Sequence, residues 1–154
     1  MKKLYWATIF VPLVLWTSCR LYNLERKLDP KDRDFVSKVQ YIMTGEERKI
    51  FLELPDAEKV KFKEEFWKRR DPDPDTEENE YKTEYFKRVD QSGVIFHGEG
   101  RPGWLTDRGR IYILFGPPSE RMTYPMDAGG YCREVWYYGG FPVIFIDEHC
   151  SGNF

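Results

Sequence analysis

Through residue 96 the apolar positions recur every three or four residues, and beyond residue 110 they crowd into short runs closed by glycine and proline. The first pattern predicts amphipathic helices and the second predicts strands. Leu21, Leu24 and Leu28 share one helical face, and Asp29-Pro30 discourages continuation, so 19–31 is read as a weakly helical tether. A helix over 32–43 would place Phe35, Val39 and Ile42 together. Thr44-Gly45-Glu46-Glu47 has the capping-box spacing, in which a hydroxyl takes a backbone N–H and a carboxylate reaches back. The helix it opens should bury Ile50, Phe51 and Leu54 and stop before Pro55. Asp56 caps a further helix over 57–70 carrying Val60, Phe62, Phe66 and Trp67, ended by Lys68, Arg69 and Arg70 and by Asp71-Pro72-Asp73-Pro74. Thr76 is the expected cap of the longest helix, to about Phe96, with Tyr81, Tyr85, Val89, Ser92 and Phe96 in its stripe.

In the last third, 110–115 reads as a strand apolar on both faces and therefore buried on both, ended by Gly116-Pro117-Pro118. Residues 119–130 show no period and read as the least ordered part of the body. Two more strands, 134–138 and 142–147, form a hairpin about Gly139-Gly140-Phe141-Pro142. The expected fold is α+β, with N-terminal helices packed on a small, mainly antiparallel sheet of about three strands. A chain of 154 residues can bury one core, so 32–154 is taken as a single domain.

Composition narrows the function classes. Aromatic residues make up 17% of the chain, enough for rings to dominate the core, and 32% charged residues argue against a membrane-embedded body. A formal net charge of −2 gives no basic stripe, so no nucleic-acid partner is expected. Nothing calls for a cofactor.

Residues 1–18 begin with Lys2 and Lys3, continue in an apolar run to Trp16 and end in Thr17-Ser18 before Cys19. This is the three-part layout of an export signal, too short and too interrupted by Pro12 to favour a spanning helix. Because the small residues end in Cys19, the segment resembles a bacterial lipoprotein signal, in which the cysteine carries the lipid. Trp16, where such signals usually have Leu, departs from that pattern, and an ordinary signal or an uncleaved anchor is the alternative. The expected location is the cell envelope, membrane-anchored by lipid and facing the periplasm or exterior. Export makes Cys132 and Cys150 relevant, since disulfides persist in oxidising compartments. Pairing Tyr138 with Val143 would set Cys132 opposite His149, so one bulge would bring the sulfurs together; otherwise they are two free thiols.

Gly103-Trp104-Leu105-Thr106-Asp107 is the motif that names the GWxTD domain family of bacteria, which the chain resembles. Phe66-Trp67, the Asp-Pro repeat, Asn79-Glu80, Glu84-Tyr85-Phe86, Asp107-Arg108-Gly109-Arg110 and Gly116-Pro117-Pro118 extend the resemblance from about Leu54 to Asp147. It implies export, often lipoprotein-like, and an α+β domain, and it implies no activity. From the residues, Thr106 to Gly109 has turn composition, with Gly109 free to take a positive φ and Asp107 holding the turn that launches the strand. Trp104, Arg108 and Arg110 would present an aromatic plane and a cationic fork at the mouth of the sheet, suited to a carboxylate, a peptide or a glycan.

A hydrolase or metal enzyme would have to draw on His97, Asp107, Glu134, Asp147, Glu148 and His149, of which His97, Asp107, Asp147 and His149 form the best set. No nucleophile elbow, phosphate loop or cysteine with a nearby base is present. The sequence therefore favours a module that binds a protein or envelope component through the motif region over an enzyme.

Overall fold

The computed structural model describes residues 21–97, 100–126, 129–152 and 154. Among these residues six helices precede a three-stranded antiparallel sheet, and the chain is α+β. It divides into two compact units, one ending at Phe66 and the other beginning at Trp67. The leader over 1–18 and Cys19 lie outside the described residues.

In the first unit, α1 (residues 21–26) leads to α2 (Pro30–Val39), α3 (Gly45–Glu53) and α4 (Asp56–Lys68), which runs on into the second unit. Pro30 opens α2 rather than only closing what precedes it. In the first turn its missing N–H has no partner to lose, and the Asp29 carboxylate accepts the N–H of Lys31. The capping box at Thr44 and Glu47 is formed in both directions. Phe35, Phe51, Phe62 and Phe66 build the core, with Phe35–Phe51 ring centroids 5.4 Å apart and Phe51–Phe62 5.2 Å. Lys63 lies over the Phe35 ring and donates to Asp32, 2.6 Å away, so a charge pair roofs the aromatic cluster.

Two residues expected inside are outside: Ile50 is 46% exposed and Val60 62%. On α4 the inward stripe is Lys59, Phe62, Lys63 and Phe66, the i, i+3, i+4, i+7 set, and Val60 stands one residue round the helix from it. Two lysines take inward positions because their stems pack while their ammonium groups reach Asp56 and Asp32.

The second unit contains α5 (Glu80–Ile95), a 3-10 turn (Gly103–Leu105), α6 (Asp107–Phe115), and strands β1 (Glu120–Tyr124), β2 (Cys132–Tyr138) and β3 (Phe141–Asp147) in that spatial order. The cap of α5 is Asn79, whose carbonyl oxygen accepts the N–H of Lys82 at 2.7 Å, and not Thr76. The stretch 110–115, expected as a doubly buried strand, is helix. Only the face made by Gly109, Tyr112 and Ile113 is buried, while Leu114 and Phe115 are exposed. Its β-branched and aromatic composition favours a strand, but the Thr106 cap and the single buried face decide otherwise. The missing strand is β1, inside the segment read as loop; all five of its residues are exposed, so it has no apolar alternation to show.

The hairpin turn is two residues long, Gly139-Gly140, with Tyr138 opposite Phe141 and Cys132 opposite Asp147. Gly139 has φ +58°, which suits the first central position of a tight hairpin turn and disfavours any other residue. The core joins helices to sheet: Phe96 and Tyr112 pack with Trp136 and Phe145, the last two with centroids 4.8 Å apart.

Truncating Phe51, which is fully buried, is expected to cost about 3–5 kcal/mol, whereas Val60→Ala should stay within about 0.5 kcal/mol. Urea unfolding of the two variants checks this contrast, and equal losses would place Val60 in the core after all.

Candidate functional site

The Gly-Trp-Leu-Thr-Asp motif is built around close backbone approach. Gly103 lies against α5 so tightly that a Cβ there would enter the Ser92 carbonyl and come within 2.9 Å of the Gly93 Cα. A Cβ added at Gly93, by contrast, would stand 3.8 Å from the Trp104 ring, ordinary van der Waals contact. Thr106 is 1% exposed; its hydroxyl donates to the Gly103 carbonyl at 2.8 Å and accepts the N–H of Gly109 at 2.9 Å. Gly109 has no positive φ. It is a glycine because a Cβ would run into the Gly103 carbonyl. Asp107, expected to hold a turn, begins α6; its exposed carboxylate favours the helix N-terminus and pairs with Arg110 at 3.7 Å.

Beside the motif is a buried charge cluster centred on Glu134, which is 1% exposed. One carboxylate oxygen accepts from the Trp136 indole N–H and pairs with Arg121 Nε. The other accepts from Arg121 Nη2 at 3.0 Å and Arg108 Nη1 at 3.2 Å. Arg108 also donates to the Gly152 carbonyl at 3.0 Å and lies over the Phe96 and Phe154 rings. So α6, β1, β2 and the segment after β3 converge on one carboxylate. Such a buried pair is tolerable because Glu134 has several donors and both arginines have further contacts.

A second carboxylate fixes that last segment. Asp147 is 3% exposed and accepts the N–H of His149 at 3.1 Å and of Gly152 at 2.6 Å. Burial pushes its pKa up, but the N–H groups of Gly152 and His149, joined by Ser151, prevail and hold it below the ordinary carboxylate value. A lowered native pKa means that this contribution is present above the ordinary value near 4 and fades as pH falls through the native one. Cys132 and Cys150 are joined in a disulfide with their Cα atoms 5.1 Å apart. The bond closes from the turn after Asp147, where Cys150 N–H donates to the Asp147 carbonyl, and not through a bulge opposite His149. Burial also raises the Tyr138 phenol to about 12, and its hydroxyl donates to the Gly116 carbonyl at 2.9 Å.

The expected binding trio of Trp104, Arg108 and Arg110 is not one surface: Arg108 points into the Glu134 cluster, Trp104 covers Gly93, and Arg110 is exposed beside Asp107. Among the set weighed for catalysis, Asp147 is occupied by backbone N–H groups, Asp107 pairs with Arg110, and the His97 ring nitrogen lies 2.5 Å from the Val94 carbonyl. His149 is exposed, its N–H turned to Asp147. Among the described residues, no group of three or more His, Cys, Asp or Glu is placed to hold a metal ion. The sequence does carry a signal for Glu134, since it alternates with Trp136 on one face of a strand and a carboxylate there needs buried cations. Arg121 has no such signal, because β1 itself is unmarked.

Residues 28–141 match the family model of the GWxTD domain, most of the chain and from well before Leu54, so the chain belongs to the GWxTD domain family, a domain of unknown function. No curated protein and no solved structure matches the chain.

Gly103→Ala should destabilise the protein by several kcal/mol, about the upper range for forced overpacking, whereas Gly93→Ala should be neutral or stabilise by up to about 1 kcal/mol. Thermal melts of the pair test whether the motif acts through backbone proximity; similar melting points would show that it does not. Glu134→Ala leaves Arg108 buried beside no carboxylate and is expected to cost about 3 kcal/mol, the low end for a broken buried pair because Arg121 reaches solvent. Denaturant unfolding measures this, and a loss below about 1 kcal/mol would mean that the cluster is not structural.

Proposed function

We propose that the protein is an exported, lipid-anchored module of the cell envelope that binds another envelope protein or component. The observation that carries the placement is the Cys132–Cys150 disulfide, a bond that persists in oxidising compartments and is rare in the cytosol. The export-type leader and Cys19 agree with it: the signal would be removed and the cysteine lipidated. Among the described residues no helix is long and apolar enough to cross a membrane.

Binding rather than catalysis is supported by how the polar groups are used. Glu134, Asp147 and Arg108 are all engaged in holding elements together. On the sheet, several large apolar side chains face solvent instead. On the outer face of the sheet Met122, Val135 and Ile144 form one cross-strand row, and Tyr124, Arg133 and Ile146 the next. Ile144 and Ile146 are each more than half exposed. Contiguous exposed aliphatic and aromatic side chains of this kind mark interaction surfaces.

Cys19→Ala should move the protein from the membrane fraction to the soluble envelope fraction, and cross-linking in the native host should capture a partner that Met122→Lys loses. Unchanged fractionation would refute the anchor. Undiminished capture by Met122→Lys would refute the outer face as the binding surface.

A further inference from the structure

The sheet has two edges, β1 and β3, and they are guarded unequally. β1 carries Glu120 and Arg121, charges that discourage another strand from pairing there, and Arg121 is in addition held by Glu134. From Phe141 to Ile146, β3 has no charged residue, and its only guard is Pro142 near the start.

The hairpin register fixes which backbone groups of β3 are open. A two-residue turn closes on a hydrogen-bonded pair, here Tyr138 with Phe141, and bonded pairs then alternate: Val143, Phe145 and Asp147 bond back to β2. The N–H and C=O groups of Ile144 and Ile146 therefore point to the free edge. Pro142 contributes a carbonyl there and lacks an N–H. Among the described residues no other backbone group bonds to this edge. The side chains of these same two residues project onto the outer face, so edge and face are open together.

We infer that β3 pairs antiparallel with β3 of a second copy of this chain, across a twofold axis at Phe145, to make a continuous six-stranded sheet. Ile144 of each copy then lies opposite Ile146 of the other. That register uses about four backbone hydrogen bonds and keeps both Pro142 residues out of the donor positions. A register centred on Ile144 would instead set Ile146 against the proline, which has no N–H to give. In the Phe145-centred register no like charges oppose each other: Asp147 meets Val143, and its carboxylate is already turned to the N–H groups of His149 and Gly152. The Met122–Val135–Ile144 row of one copy runs on into the Ile146–Arg133–Tyr124 row of the other, joining two small apolar faces into one. A foreign strand could satisfy the same backbone, but a copy of β3 meets the apolar, charge-free stretch with its own equivalent and places the prolines symmetrically. Because β1 is guarded, the association closes at two copies and does not propagate.

A contact one strand wide is small, so the dimer is expected to be weak, with dissociation in the micromolar range typical of interfaces below about 1,200 Å². The test is sedimentation velocity on the full chain, disulfide intact and detergent-solubilised, from about 1 to 500 µM, a range chosen to bracket that affinity. The expected result is a monomer–dimer equilibrium weakened at least tenfold by Ile144→Pro, which deletes an outward N–H, and by Ile146→Lys, which charges an exposed position. Ile146→Lys should melt like the parent, so loss of the dimer cannot be ascribed to unfolding. A monomer throughout the range overturns the inference. So does a dimer that both variants leave unchanged, or a cross-link from β3 in the host that leads to another protein and not to a second copy. The measurement needs neither Cys19 nor an outside partner, so its outcome is independent of the envelope-binding proposal.

Discussion

The backbone of Gly103 touches the backbone of α5 at Ser92 and Gly93, and much of the second unit follows from that contact. Once the chain passes so close, the Thr106 hydroxyl is in place to bridge Gly103 and Gly109, α6 starts at Asp107, and its buried face is turned to Phe96. A methyl group at either glycine would enter a carbonyl oxygen. The constraint is steric before it is chemical. Of the residues in the motif, only Asp107 offers an exposed charged group, and that group stabilises its own helix end.

Charge completes what sterics begins. Glu134 receives donors from α6, β1 and β2, and through Arg108 the segment after β3 is drawn to the same point. Burying a carboxylate demands nearly complete satisfaction, and complete satisfaction requires each of those elements to sit correctly. Asp147 and the disulfide fix the same segment independently, so Phe154 is held over Arg108 by more than one restraint.

Helix positions up to residue 96 are legible mainly from their apolar stripes; the Thr44 box is formed as its spacing predicts, whereas α5 is capped by Asn79 in place of Thr76 and Asp56 is the first residue of α4. Val60 misleads because lysines with long apolar stems take the inward positions of α4, and Ile50 because Phe51 and Leu52 take the buried face of α3. Residues 110–115 mislead for a different reason. A run of Ile, Tyr, Leu and Phe carries no helical period, and what makes it a helix is the Thr106 cap and the packing of one face, neither of which lies in the run itself. β1 is invisible since every side chain on it meets solvent. At the candidate site the types were visible but the company was not. Arg108 belongs with Glu134, twenty-six positions away, and only the path of α6 beside β2 brings them together.

The strands are ordered in space as they are in sequence, and the disulfide joins residues only 18 positions apart. The Gly103 contact likewise reaches back no further than the preceding helix. The sheet and the Gly103 contact are thus assembled from neighbours in the chain, whereas the Phe96–Trp136–Phe145 core and the Arg108–Glu134 and Arg108–Gly152 bonds close only when more distant segments meet. Until those distant contacts form, β3 exposes a mostly apolar strand interrupted only by Pro142, the kind of segment through which incomplete chains associate.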